Sequence, residues 1–210
     1  MSGSTTTDDN RFTEVLRRLD RLESVESIRQ LAADYATFVD SKQLRAVAGL
    51  FTEDTLVGSE RGREAKYQAL LKNHGGPGRF GTTIHLVAGH SIQVDPGDAD
   101  AATGVVYCRA EHEIGDTWVV ATIQYWDTYA RCEGRWLFAE RAIRAYYVVD
   151  VLERPGEPWV TQKLSHYNNV LTSAELPAAW PSWGPFWKSA GRDPHVPASA
   201  PGAAMNQEQQ

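Results

Sequence analysis

Two side chains with complementary chemistry stand out in the sequence, Asp40 and His85. Asp40 ends the apolar helical stretch "TFVD", and His85 interrupts the apolar strand-like segment "TTIHLVAGH". A carboxylate bound to one ring nitrogen of a histidine fixes its tautomer, and the other nitrogen can then remove a proton from a carbon acid. Each residue alone also has a simpler explanation. Asp40 or Ser41 can cap the next helix, and a single strand histidine is more often a satisfied core residue.

Arg141 is the second candidate, because it is the only charged residue on one predicted face of the last strand. An arginine turned toward a core is costly unless it meets a carboxylate or a ligand. Arg141 is therefore a ligand-binding residue or half of a structural ion pair, unless the face is inverted and Arg141 lies in solvent. Tyr35 lies five residues before Asp40. Taken alone it is a core aromatic residue, as His85 alone is a core histidine. The predicted face consists of Leu137, Ala139, Arg141, Ile143, Ala145 and Tyr147.

The elements that must position these residues come in a simple order. Apolar residues at spacings of three and four predict one or two helices from Asn10 to Val39, and two more helices follow near residues 41–51 and 62–76. Four segments rich in β-branched and aromatic residues then alternate with turn clusters between residues 82 and 151. Helices followed by an antiparallel meander predict an α+β fold. In it, a curved antiparallel sheet with N-terminal helices packed on it encloses a pocket.

The last quarter of the chain has a different composition. "RPGEP" marks a boundary, which predicts a domain over residues 1–153 and an extension over residues 154–210. A helix is expected within residues 158–171, and the end of the chain is expected to be disordered. The segment "LPAAWPSWGPFWKSAG" mixes prolines with tryptophans, which argues against regular structure. We expect its aromatic side chains to cover the pocket or a neighbouring subunit.

Bulk composition excludes several classes of protein. The net charge of −6 over 210 residues argues against nucleic-acid binding, and no apolar run is long enough for a membrane span. The N-terminus lacks the features of a signal peptide, so we expect a cytoplasmic protein. Cys108 and Cys132 are expected to be buried thiols, although their pairing stays open. The motifs of common metal and nucleotide sites are missing, so we predict neither a metal nor another cofactor.

The combination of these features resembles a known family. The segments are "IRQLAADYATFVDSKQLRAVAGLFTEDTLV", "TIHLVAGHSIQV" and "YWDTYARCEGRWLFAERAI". Together they resemble the SnoaL-like branch of the NTF2-like superfamily over roughly residues 11–150. Within it, the chain looks most like the group of scytalone dehydratase, hexachlorocyclohexane dehydrochlorinase and bile-acid 7α-dehydratase. This resemblance implies a cone-shaped α+β fold with the pocket inside.

The resemblance also implies an activity, a cofactor-independent elimination that uses an Asp–His pair. Asp40 and His85 match the family aspartate and histidine, and Tyr35 and Arg141 match further positions of the family's sites. The expected protein is a dehydratase-like lyase whose substrate is a hydroxylated, largely apolar polycyclic, polyketide or steroid-like molecule. Relatives imply a homo-oligomer, a trimer or a dimer.

Other functions stay open at this point. The same pair can run an isomerisation or a cyclisation, because these also begin with removal of a proton next to a carbonyl group. Many proteins of this fold only bind ligands, and one related class is the structural small subunit of ring-hydroxylating dioxygenases. The Tyr35, Asp40, His85 and Arg141 set weighs against the structural subunit, which has no need of it.

Overall fold

The computed structural model describes residues 4–74, 79–152 and 179–189. The chain divides into two units, residues 1–174 and residues 175–210. The boundary predicted between residues 153 and 154, and the helix expected within residues 158–171, lie outside the described residues. The first unit contains α1 (Ser4–Asp40), α2 (Leu44–Gly49), β1 (Leu56–Val57), β2 (Glu60–Arg61), α3 (Arg63–His74), β3 (Phe80–Val94), β4 (Ala101–Ile114), β5 (Thr117–Cys132) and β6 (Arg135–Asp150).

The main sheet is an antiparallel meander with the strand order β3-β4-β5-β6. Turns at Gly115 and Gly134 join β4 to β5 and β5 to β6, and both glycines have a positive φ that suits tight hairpins. Helix α1 packs on this sheet, chiefly on β3 and also on β6. The predicted α+β class, with N-terminal helices on one antiparallel sheet, is confirmed.

Helix α1 is one continuous helix of 37 residues, with no break near Ser24. The Ser24 hydroxyl donates a hydrogen bond to the Asp20 carbonyl group one turn earlier (2.7 Å), so it does not cap a new helix. The C-terminal half of α1 buries a stripe at spacings of three and four, which faces the sheet. This stripe contains Ile28, Leu31, Ala32 and Val39. It fixes the rotation of the helix and so the direction in which Asp40 points.

Strand β6 departs from simple alternation at two bulges. Ala139 lies between the pairs Thr128–Glu140 and Tyr129–Phe138, and a second extra residue lies between Ala145 and Tyr147. An extra residue reverses the side-chain phase of the strand beyond it. Phe138 therefore shares the interior face with Arg141. The predicted face was wrong at its beginning, because Leu137 and Ala139 line a cavity that the interior face does not share. It was also wrong at its end, because the second bulge puts Tyr147 opposite Thr122, on the other face from Ala145.

The described part of the second unit contains one helix, α4 (Trp183–Ser189). The expectation of no regular structure in this segment was therefore wrong. Pro185 lies in the first turn of α4, where backbone N–H groups have no partner within a helix, so proline is tolerated.

None of the described helices is long and apolar enough to cross a membrane.

The two cysteines are free thiols. Cys108 is buried as expected, and burial raises its thiol pKa to about 11. Cys132 is exposed at the end of β5, so the prediction that both thiols are buried was wrong for this residue.

Candidate active site

The C-terminus of α1 is shaped to present Asp40 to the sheet. The backbone N–H of Gln43 donates to the Phe38 carbonyl group (2.8 Å), and that of Lys42 donates to the Val39 carbonyl group (3.1 Å). This is the Schellman pattern, whose left-handed position usually holds glycine. Here Lys42 occupies it with a φ of 60°. Neither Asp40 nor Ser41 caps α2, because the N-cap is Gln43 and the Ser41 hydroxyl donates to the Thr37 carbonyl group.

Asp40 is bound to His85 at two points. The Nδ1 atom of His85 lies 2.6 Å from Oδ1 of Asp40, and the backbone N–H of His85 donates to Oδ2 over 2.8 Å. The hydroxyl group of Thr83 donates a third hydrogen bond to Oδ1 (2.9 Å). Because a carboxylate only accepts hydrogen bonds, the proton between the two side chains lies on Nδ1 of His85. Nε2 is then the ring nitrogen left for a substrate.

Electrostatics keep Asp40 ionised. Burial raises the pKa of Asp40, but the hydrogen bonds and charge of His85 outweigh it and hold the pKa below its ordinary value. Lys42 extends the network, since its Nζ donates to the Thr83 hydroxyl group (3.1 Å) and lies 3.3 Å from Nδ1 of His74. The left-handed backbone of Lys42 thus turns its side chain back toward the pair.

His85 lines a cavity of about 200 Å³ between α1, α3 and the sheet. Its side chain is only 6% exposed. The walls are mainly aliphatic and aromatic, which suits an apolar ligand. The polar side chains in the walls are Tyr35, Lys66, Asn73, His74, His112 and Tyr125.

Tyr35 lies beside the histidine. Its ring meets that of His85 edge to face, with the ring centroids 6.5 Å apart. Burial raises the pKa of Tyr35 above its ordinary value, although the nearby Arg141 opposes this shift. The phenol is therefore protonated at neutral pH and can act as a hydrogen-bond donor in the cavity.

Arg141 is placed differently from the other three candidates. Its guanidinium forms two hydrogen bonds to the carboxylate of Asp127, Nε to Oδ1 (2.8 Å) and Nη2 to Oδ2 (2.7 Å). The two side chains are 3% and 0% exposed, and Arg141 is not among the cavity-lining residues. Burial alone would lower the pKa of Arg141, but Asp127 outweighs it and keeps the guanidinium charged. Three rings surround its Cζ atom at 4.0–4.3 Å, those of Phe138, Tyr125 and Tyr35.

The structure adds residues that the sequence analysis did not select. Thr83 lies two residues before His85 on β3 and donates a hydrogen bond to Asp40. His112 lies opposite Thr83 in the β3–β4 register, and its ring is edge-on to His85 at 5.5 Å. The alternation of Val106, Cys108 and Ala110 toward the interior could have indicated His112. For Lys66, the sequence of α3 gives no comparable signal, because the helix has no fully buried residue.

A larger cavity of about 790 Å³ lies away from the pair, between residues 52–63 and strands β5 and β6. Its polar walls include Arg63 and Glu53, which form an ion pair with each other, and it contains no histidine. Within the described ranges, His, Cys, Asp and Glu nowhere come together in threes that could hold a metal ion.

Comparison with solved structures places this fold among known ones. A candidate scytalone dehydratase from Novosphingobium aromaticivorans is 24% identical, with a TM-score of 0.54 over 64% of this chain and 92% of that protein. The LinA-type3 hexachlorocyclohexane dehydrochlorinase from Novosphingobium barchaimii is 20% identical, with a TM-score of 0.55 over 65% of this chain and 96% of that one. A LinA type 2 enzyme is 23% identical, with a TM-score of 0.55 over 66% and 99%. These likenesses show a shared fold.

Sequence comparison gives the family. No curated protein is significantly similar to this chain. The SnoaL-like domain matches residues 20–142, which is more than half of the chain. The match includes α1 from Asp20, strands β3 to β5, the first half of β6 and the Asp40–His85 pair. The predicted resemblance is confirmed, and the chain belongs to the SnoaL-like domain family.

Proposed function

We propose that this protein is a cofactor-independent lyase that eliminates water from a hydroxylated small molecule, with His85 as general base. The observation that carries the proposal is the 2.6 Å contact between Nδ1 of His85 and Asp40, with His85 in the wall of a cavity that aliphatic, aromatic and basic side chains line. Structurally similar proteins include dehydrochlorinases, whose reaction is also an elimination. A positioned general base typically contributes about 10²–10⁴-fold to a rate.

The proposed reaction begins at Nε2 of His85. Nε2 takes a proton from a carbon next to a carbonyl group, and the C–H electron pair becomes the new carbon–carbon double bond of an enolate. Asp40 stabilises the imidazolium that forms. The enolate then expels the β-hydroxyl group, which leaves as water after it receives a proton. Tyr35 is a suitable donor for that proton because its phenol is protonated and lies beside His85.

Arg141 has a supporting role in this proposal. Its charge is already balanced by Asp127, and its guanidinium contacts the ring of Tyr35 (4.3 Å). We therefore assign Arg141 to positioning Tyr35 and not to direct contact with substrate.

The proposed substrate is largely apolar, because aliphatic and aromatic side chains make up most of the cavity wall. We retain the sequence-based proposal of a polycyclic, polyketide or steroid-like molecule. Typical small-molecule pockets hold about 300–1,000 Å³. The cavity bounded by the described residues holds about 200 Å³, which suits the reacting end of such a molecule and not its whole length.

A mass-spectrometric screen in D₂O tests the proposal. Wild type, His85→Ala and Asp40→Asn would be incubated with a panel of β-hydroxy carbonyl compounds that includes polycyclic and steroidal members. Asp34→Asn is the matched control, because Asp34 lies on the same helix and bonds only to Gln30 among the described residues. We expect loss of water with wild type and Asp34→Asn, and a loss of activity of about 100-fold or more in the other two variants.

Other outcomes would point to other functions. Deuterium uptake without loss of water would indicate an isomerase or cyclase that uses the same base. Equal tight retention of one compound by wild type and His85→Ala, without turnover, would indicate a binding protein. Activity that survives in His85→Ala would refute the assignment of the base.

We further propose a cytoplasmic homo-oligomer, a trimer or a dimer. Support comes from large apolar side chains exposed on strands β3 and β4, namely Ile84, Leu86 and Tyr107. Light scattering on the full chain, compared with a Leu86→Lys variant, would test the oligomer. A wild-type monomer would contradict it.

A further inference from the structure

Lys66 is a basic side chain in the wall of the cavity that contains His85. It lies on the second turn of α3 and lines the cavity together with Tyr35, His85 and His112. Its Nζ atom lies 3.9 Å from the ring centroid of Phe51, which is fully buried. Among the described residues that line the cavity it is the only lysine, and none of them is an arginine.

No carboxylate among the described residues pairs with Lys66. Within the part of the chain that the structure describes, no carboxylate and no hydrogen-bond acceptor contacts Nζ. A cation–π contact with one ring compensates only part of the cost of removing an ammonium group from water. Arg141, the other nearby cation, is by contrast fully paired with Asp127. Lys66 thus has unused capacity to bind an anion.

Its protonation state agrees with this role. Burial and, to a smaller extent, the positive charge of Arg141 lower the pKa of Lys66 to about 8, although the negative charge of Asp127 opposes the shift. The amine is therefore mainly protonated near pH 7 and loses its charge a little above that. An anion bound next to Nζ would stabilise the protonated amine of Lys66 and raise its pKa again.

We propose that Lys66 is the anion-binding residue of this cavity. It binds the carbonyl oxygen of the substrate and the negative charge that this oxygen gains when His85 removes the neighbouring proton. The substrate class is accordingly a carbonyl compound with an acidic C–H bond beside the carbonyl group. The role in proton transfer rests on the proposed function, but the binding of an anion does not depend on it.

A pair of probes of equal shape tests the binding of an anion. 2-Naphthoate carries a carboxylate, and 2-naphthamide is its neutral counterpart. Their affinities for the full chain would be compared by calorimetry near pH 7. We expect wild type to bind the carboxylate about tenfold or more tightly than the amide, since a charge-assisted hydrogen bond is stronger than a neutral one.

Variants of two lysines on α3 test whether Lys66 causes the preference for the carboxylate. Lys66→Met should abolish it, and Lys66→Arg should retain most of it. The matched control is Lys72→Met, because Lys72 lies on α3 with an exposed side chain and does not line the cavity. Retention of the full preference in Lys66→Met, or no preference in wild type, would overturn the proposal.

The pH dependence of binding provides a second test in case Lys66→Met does not fold. The preference for the carboxylate should fall when the pH rises from about 7 to about 9.5, because Lys66 loses its proton in that range. The other titratable side chains around the cavity are Tyr35, His74, His85, His112 and Tyr125, and Lys42 lies beside His74. Lys42 has a lowered pKa caused by burial, so Lys42→Met is measured in parallel. A preference unchanged up to about pH 9.5 in both proteins would refute the assignment.

Failure of this proposal and failure of the proposed function are distinguishable. His85→Ala should lose turnover yet keep the preference for 2-naphthoate. If the protein prefers the carboxylate through Lys66 but turns over no compound, the anion-site proposal holds and the lyase proposal fails.

Discussion

Asp40 accepts hydrogen bonds from both the ring and the backbone of His85, at 2.6 Å and 2.8 Å. The two contacts use different carboxylate oxygens, so they fix the position of the strand as well as the orientation of the ring. Thr83 adds a third hydrogen bond from the same strand. The end of α1 and the middle of β3 are thereby held together at the proposed base.

The tautomer of His85 is the first prediction. Neutral His85 should carry its proton on Nδ1, because Asp40 can only accept. Long-range ¹H–¹⁵N correlation of the imidazole should show this pattern in wild type and in Asp34→Asn. Asp40→Asn should reduce the Nδ1–H population, since an amide can also donate. An unprotonated Nδ1 in wild type would contradict the proposed mechanism.

The ion pair of Arg141 and Asp127 should contribute strongly to the integrity of the fold. Asp127→Asn leaves a buried guanidinium without its countercharge, so we expect a loss of about 3–5 kcal/mol in the free energy of unfolding. Arg141→Met should lose a similar amount, and the double variant Arg141→Met/Asp127→Leu should be less destabilised than the sum. Urea unfolding measures all three.

Arg131 and Asp20 form a more exposed ion pair that serves as the control, with side chains 19% and 46% exposed. Asp20→Asn should cost no more than about 1 kcal/mol. Equal losses for Asp20→Asn and Asp127→Asn would show that burial does not set the strength of these pairs.

The left-handed backbone of Lys42 predicts which of two variants at this position is the more stable. Lys42→Gly should be more stable than Lys42→Ala by about 1 kcal/mol, because only glycine adopts a φ of +60° without steric cost. Both variants lose the same hydrogen bond to Thr83, so their difference isolates the backbone. At Lys72, within α3, the order should reverse, since glycine disfavours a helix. Thermal unfolding of the four variants tests this, and the same order at both sites would refute it.

His112 should make the protein sensitive to acid. Burial lowers its pKa from 6.5 to about 3, and the nearby His85 contributes to the shift. Between these values the unfolded chain binds a proton that the folded chain does not, so stability falls as the pH falls below about 6.5. From pH 6.5 to about 4.5 this amounts to roughly 2–3 kcal/mol. His112→Gln should show a smaller loss over this range in urea unfolding, and an equal loss would contradict the assignment.

The sequence was sufficient for the class of fold. Of the four candidate side chains, Tyr35 and His85 line one cavity, and Asp40 contacts His85. Asp40 and His85 could be paired because a helix end and a strand interior are recognisable from periodicity, and the family resemblance supplied their partnership. Asp127 could not be found as the partner of Arg141. Its neighbours in "YWDTY" suggest simple alternation, and only the register of β5 and β6 places it opposite Arg141. Lys66 could not be selected from the sequence, because its importance depends on the cavity residues around it. In addition, α3 has no strong hydrophobic periodicity of its own.

The bulge at Ala139 has a consequence for comparing members of this family. Phe138 and Arg141 share one face although they are three residues apart, because Ala139 is the extra residue between them. Removing this one residue would leave Phe138, Glu140 and Arg141 in simple alternation, with Arg141 still opposite Asp127. The position is therefore a point where an alignment gap carries structural meaning. A homologue that lacks one residue there is predicted to have a regular strand and to keep the same residue opposite the position of Asp127.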